Sequence, residues 1–186
     1  MVSSYSTDLK LELMVTGENA GTWGDITNTN LNILQQAIAG YESVALNATT
    51  GATLTFSNGI TSNGKNAVLN LTGTLTSSVN VIIPDGIEKT YTVKNATTGA
   101  YAVTFKTTSG SGATWAAADK GVKLLYSDGT DVTDVNSQLK TISLFTLPTV
   151  DGTSGQAILT NGAGTLSFGE AGISTGKAIA MAIVFG

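Results

Sequence analysis

Apolar residues recur along this chain with two different periods, and the change from one to the other divides it. Between Thr27 and Ala39, Leu31, Leu34 and Ile38 fall at i, i+3 and i+7, and Ile33 and Ala37 widen the stripe. That spacing predicts a helix over 27–39 with the Leu31/Leu34/Ile38 face packed inside the body. Gly40 stands where a C-terminal cap belongs, and Asp25 or Thr27 can accept the free N–H groups at the other end. Trp23, beside the glycine-rich Gly21–Asp25 stretch, is expected to pack under the helix.

From Tyr41 to about Leu147 the period becomes two, in short Thr/Val/Ile/Leu runs separated by Asn-Gly, Asp-Gly and Gly-Ser turns. The predicted strands are 43–46, 53–56, 67–71, 79–83, 90–95, 102–107, 122–127 and 132–135. Alternation within them, as in Tyr101-Ala-Val-Thr-Phe105, implies one buried face and one hydroxyl-rich face. Such a series suggests a sandwich or barrel. The string Asn-Ala-Thr-Thr-Gly-Ala occurs at 47–52 and again at 95–100. Either one hairpin-type turn is used twice or a Thr/Gly-rich chain repeats itself by coincidence; two copies do not establish a repeat architecture.

Pro148 and the turn cluster Thr149–Gly155 mark a boundary. Beyond it lie a predicted hairpin, 157–160 with 165–168, and the apolar run Ala178–Phe185. The organisation expected is therefore a helix-containing segment over 1–40, a β-body over 41–147 and a small module over 148–186. The fold class is mainly β, a β-sandwich- or barrel-like body with one N-terminal α-helix and a small C-terminal β-hairpin module. The apolar run is too short to cross a bilayer and would be an aggregation hazard if exposed. Either it forms a core strand, or Ile179, Met181, Ile183, Val184 and Phe185 make contacts between subunits.

Composition narrows the chemistry. The 186 residues include no His and no Cys, which excludes Ser-His-Asp and Cys-His nucleophile systems, disulfides and Cys/His zinc sites. Only 12% are charged, and the polar remainder is Thr, Ser, Asn and 22 Gly. The net charge of -4, with nine scattered lysines and no arginine, argues against a nucleic-acid surface. No run is long enough for a membrane span, and Met1–Val15 lacks the layout of a secretion signal, so a soluble, unprocessed, cytoplasmically made chain is expected.

The remaining motifs are weak. Gly59–Asn66 has the glycine and lysine spacing of a phosphate loop, but Asn66 replaces the hydroxyl residue and a strand follows where a helix is needed. It reads as a turn, as does Gly172–Ala178. Asp128, Asp131 and Asp134 offer oxygens to calcium but do not follow an EF-hand pattern, and a solvated hairpin explains them. No carboxylate pair can be chosen for glycoside hydrolysis. No catalytic, cofactor or metal residue is assigned, and no enzyme is expected. Trp115, after Ser109-Gly-Ser-Gly112, is the candidate for an exposed surface contact.

Longer strings carry more weight. Tyr5-Ser-Thr-Asp-Leu-Lys-Leu-Glu-Leu-Met-Val-Thr-Gly-Glu-Asn-Ala-Gly-Thr-Trp-Gly-Asp-Ile-Thr-Asn-Thr-Asn-Leu-Asn32, then Ser62-Asn-Gly-Lys-Asn-Ala-Val68, Ile83-Pro-Asp-Gly-Ile-Glu-Lys-Thr-Tyr91 and Leu125-Tyr-Ser-Asp-Gly-Thr130, resemble the N-terminal region of structural proteins of marine tailed bacteriophages, especially cyanophages. Leu147 to Phe168 is similar to connector hairpins of phage fibre proteins, and Ile173 to Phe185 to the endings of other such virion proteins. The resemblance implies a tail-fibre-like or tail-associated virion component, made in the host cytoplasm. Its partners would be further copies of itself, a trimer by analogy with fibres, together with other virion proteins and a host cell-surface glycan. It brings no catalytic residues, and no nucleic-acid partner, membrane insertion or cofactor is expected from the composition. Because long fibres carry many further residues, an adaptor or short-fibre role is favoured over receptor binding, and a capsid decoration or head-fibre protein is the alternative expectation. A carbohydrate-binding module using Trp115 and the Asp128–Asp134 turn is another.

Overall fold

The computed structural model describes residues 2–138, 141–142, 145–170, 172 and 183. The chain is mainly β and divides into two compact units, Met1–Ser137 and Gln138–Gly186. Unit one joins the N-terminal segment to the body.

The first unit opens with an antiparallel pair, β1 (Ser4–Tyr5) and β2 (Glu12–Leu13), followed by α1 (Trp23–Ala39). The strands of the body are β3 (Tyr41–Ala45), β4 (Gly51–Thr53), β5 (Val68–Thr72), β6 (Val79–Ile83), β7 (Glu88–Asn95), β8 (Val103–Thr107), β9 (Gly112–Trp115), β10 (Val122–Asp128) and β11 (Val132–Asp134). They form a five-stranded sheet, β11-β10-β7-β5-β3, and a four-stranded sheet, β4-β6-β8-β9. From β3 to β8 successive strands alternate between the sheets. Consequently β3, β5 and β7 pair in parallel in one sheet, and β4, β6 and β8 pair in parallel in the other. The chain winds as a flattened coil. The offset between turns is visible in the corner hydrogen bonds. Ser77 Oγ donates to the Thr49 carbonyl 28 residues away, and Thr98 Oγ1 to Thr74 Oγ1 at 24. The winding ends in antiparallel pairs, β8 with β9, β7 with β10, and β10 with β11.

This winding changes the meaning of the repeated Asn-Ala-Thr-Thr-Gly-Ala string, which sits at corners between the sheets; the first copy also closes a tight antiparallel bridge, Asn47 with Gly51. Asn47 Oδ1 accepts from the N–H groups of Thr49 and Thr50, and Asn95 Oδ1 accepts from the N–H and Oγ1 of Thr97. Side-chain carbonyls thus replace the ladder partners lost where the backbone turns. Gly51 follows at φ 80°, a conformation that costs an L side chain free energy.

The core lies between the sheets. Val44, Leu69, Leu71, Tyr91, Val93, Leu125 and Val132 face it from one side and Val79, Val81, Ile83, Val103, Phe105, Ala113 and Trp115 from the other, with Leu46, Leu54 and Leu75 filling the corners. Strand alternation produces this directly, since side chains two residues apart share a face. Trp115 is therefore a core residue on β9, fully buried, its indole N–H donating to the Gly121 carbonyl at 3.0 Å. The expectation of an exposed Trp115 is corrected. At Gly112 the lack of a side chain is a packing requirement, because a Cβ there would collide with the Phe105 carbonyl oxygen.

The helix also departs from expectation. It starts at Trp23, with Thr22 at its N-cap position and Asp25 inside its first turn. Its only fully buried residue is Ile33, on a sector shared with half-buried Ile26, Asn30 and Ala37. Asn30 clamps β2, accepting from Glu12 N–H at 3.0 Å and donating to the Glu12 carbonyl at 2.9 Å. Leu31 (56%), Leu34 (36%), Ile38 (79%) and Trp23 (65%) are exposed. The face expected inside the body points outward, and Trp23 does not pack under the helix.

In the second unit, β12 (Thr141–Ile142) pairs with β13 (Phe145–Thr146), and β14 (Gln156–Thr160) pairs antiparallel with β15 (Leu166–Glu170) around Asn161–Gly164. Thr146 N–H donates to the Gly164 carbonyl, so the residues before Pro148 belong with those after it. Hence the boundary falls at 137/138.

Candidate functional site

Most of the polar groups singled out in the sequence serve the backbone of their own turns. Asp128 Oδ1 accepts from the N–H groups of Thr130 and Asp131, which hold its carboxyl below the ordinary range. Asp131 Oδ1 accepts from Ser111 N–H and Oγ. Asp134 pairs with Lys123 Nζ at 2.9 Å, and this bond raises the lysine pKa. The three carboxylates thus face three different partners. Among the described residues, no group of three or more His, Cys, Asp or Glu is placed to hold a metal ion.

Gly59–Asn66 is likewise a self-contained loop. Residues Asn63–Lys65 form a 3-10 turn, and Lys65 is fully buried. Its Nζ donates to the Ser57 carbonyl at 2.7 Å and to the Ile60 carbonyl at 2.5 Å. Burial first, and the charge of Lys10 second, lower its pKa to about 8. An ammonium engaged by its own loop presents no charge to a phosphate. Of Gly172–Ala178, residues 173–178 lie outside the described residues.

Two open surfaces of the first unit bear on binding. One is a shallow cleft of about 340 Å³ at the end of α1, lined by Asn32, Gln35, Gln36, Tyr41, Thr61 and Asn66 among others. Gly40 allows the close approach there, because a Cβ would collide with the Gln36 carbonyl oxygen and Asn66 Oδ1. Gln36 Oε1 accepts from Ser62 N–H at 3.3 Å, tying helix to loop. The other is apolar. On α1 it comprises Trp23, Leu31, Leu34 and Ile38; on β10 it comprises Val122, Leu124 and Tyr126. The β10 stripe is interrupted across the sheet, where Val122 lies opposite Lys94, Leu124 opposite Thr92 and Tyr126 opposite Thr90.

Sequence reasoning placed the intermolecular contacts at Ile179, Met181, Ile183, Val184 and Phe185. Of these, Ile179, Met181, Val184 and Phe185 lie outside the described residues, and Ile183 is exposed. The α1 stripe was identified in sequence but assigned to the interior. Its signal was an excess of apolar residues beyond one buried sector. No helix among the described residues is long and apolar enough to cross a membrane. No protein-family model, curated protein or solved structure matches the chain.

Proposed function

We propose that this chain is a non-enzymatic structural protein of a tailed-bacteriophage virion, a tail-fibre or tail-associated adaptor that self-associates and docks onto other virion proteins. The structural observation that carries this reading is the exposed apolar face of α1, which a protein acting alone would be expected to cover. The inward use of Asp128, Asp131, Asp134 and Lys65 supports a scaffold in place of a reaction centre. The resemblance of Tyr5–Asn32 and the later strings to phage structural proteins supplies the virion context.

Immunogold electron microscopy of purified virions, with an antibody to this chain, tests the proposal. Label at the tail is the expected result. Label over the head replaces it with capsid decoration, and unlabelled virions overturn it. A glycan contact has one observation in its favour, the amide-lined cleft beside exposed Tyr41, since amides and an aromatic face together recognise polyols. Glycan-array binding that disappears in Tyr41→Ala would support it. Buried Trp115 can no longer supply the stacking surface.

A further inference from the structure

On a helix each residue advances by about 100°, so Trp23, Thr27, Leu31, Leu34 and Ile38 fall within an arc of roughly 80°. The sector that the body uses, centred on Ile33, lies to one side of this arc. Gly24, Thr27, Leu31, Leu34 and Ile38 also follow the alternating three- and four-residue spacing of a coiled-coil seam. That spacing selects another helix as the occupant, because knobs at such intervals enter the holes of a helix spaced in the same way.

Charge permits a second copy at this face. The chain carries a net charge of -4, and its copies repel at long range. From Ile26 to Ala39 the helix has no charged residue, so two copies of this face can meet without opposing like charges. The β10 stripe lacks this property, because Lys94 lies across from Val122. Area agrees. The exposed fractions of Trp23, Leu31, Leu34 and Ile38 amount to about 450 Å² of mostly apolar surface per copy. This is the apolar centre of a standard interface of ~800 Å² per partner, with Asn28 and Gln35 left for a polar rim.

We infer that the outer stripe of α1 is a self-association surface, on which the α1 helices of two or more copies of this chain pack against one another along Thr27, Leu31, Leu34 and Ile38. The inference rests on the self-associating part of the reading above and moves its contact to α1. A free helix of this length would be marginal in water. Here the Asn30 clamp on Glu12 and the buried Ile33 hold it folded beforehand, which lowers the ordering cost of association.

Light scattering on the 186-residue chain after size exclusion is the test. The wild type is expected at a multiple of 18.9 kDa, and Leu34→Glu/Ile38→Glu at 18.9 kDa with an unchanged circular dichroism spectrum. The chain has no cysteine, so one introduced thiol is a unique reporter. Leu31→Cys lies at the middle of the helix and meets its copy whichever way the helices run. It should form a disulfide dimer on mild oxidation roughly tenfold faster than Asn32→Cys, which lies about 100° away. A wild-type oligomer whose mass survives Leu34→Glu/Ile38→Glu, or equal oxidation rates for the two thiols, overturns the α1 interface and leaves self-association standing. A wild type that stays at 18.9 kDa at about 100 µM overturns both. Virion location is then still decided by the immunogold label.

Discussion

Tyr91 lies at the centre of the core, fully buried between the sheets, and its hydroxyl has no hydrogen-bond partner. A buried hydroxyl without a partner costs about 1–3 kcal/mol relative to water. Tyr91→Phe removes that cost and leaves the ring in place. The tilted contact with Phe105 at 5.3 Å and the Lys89 ammonium 4.6 Å from the ring centroid both survive. A void of about one oxygen atom opposes the gain, so the net expected stabilisation is about 1 kcal/mol, or ~2–4 °C in Tm for a chain of this size. Guanidinium titration followed by tryptophan fluorescence suits the measurement, because Trp115 is buried and changes environment on unfolding. The effect should grow at high pH. Burial raises the Tyr91 pKa, so above about pH 10 the unfolded chain releases a proton that the folded chain retains. The wild type loses stability there and the variant does not lose that part. A variant destabilised by 1 kcal/mol or more would refute the reasoning and show that the hydroxyl holds a bond.

Two further outcomes test the coil and its buried cations. Gly51→Ala places a Cβ against the Asn80 carbonyl oxygen of the neighbouring turn at φ 80°, whereas Gly86→Ala meets nothing within 4 Å at φ 76°. Both carry the left-handed cost of about 1–2 kcal/mol, so Gly51→Ala should lose clearly more in urea unfolding, and equal losses would show that the turns are not in close contact. Lys65 and Lys89 have pKa values lowered to about 8, in both cases chiefly by burial. Between about pH 8 and 10 the unfolded chain therefore binds more protons, and stability should rise with pH by up to about 1.4 kcal/mol per unit for a fully buried lysine. Lys65→Met should flatten the rise, and a wild-type unfolding midpoint that falls across this window would contradict the assignment.

Where the sequence located elements well, alternation within a strand was the cause. The run 79–83 is β6 without change, and most other strands shift at their ends by one or two residues. Parallel winding was invisible because alternation specifies which side chains face the core and is silent on which strand lies alongside. The one available signal was the Asn47 and Asn95 string, which occupies corners two turns of the coil apart. The intermediate corner, Thr72-Gly-Thr-Leu75, does not share it and conceals the period. Strand β9 was missed for a local reason, since Gly112 and Ala113 lack the bulk that marks a strand. Helix α1 was recognised, but its apolar positions cover two sectors and periodicity does not say which sector the body takes. Ile33 is buried because Asn30, close to it on the helix surface, fastens that side of α1 to Glu12.

The same local chemistry explains why the carboxylates singled out in the sequence are turned to the backbone of their own corners. Asp8 accepts from Glu88 N–H, Asp85 from Ser109 N–H, Asp119 from Gly121 N–H, and Asp128 and Asp131 from turn amides. A flattened coil needs such acceptors because every corner interrupts a ladder and frees N–H groups. Carboxylates held by backbone amides are kept in the charged form, as the lowered pKa values of Asp85 and Asp128 reflect, which suits them poorly to general-acid work at neutral pH. The core, in turn, is closed between the two sheets and takes nothing from Leu31, Leu34 or Ile38. Those three side chains can be exchanged for charged ones with little effect on the body. A difference in particle mass between wild type and variant would then report association and not unfolding, which is what makes the outer face of α1 the surface on which the proposed assembly can be decided.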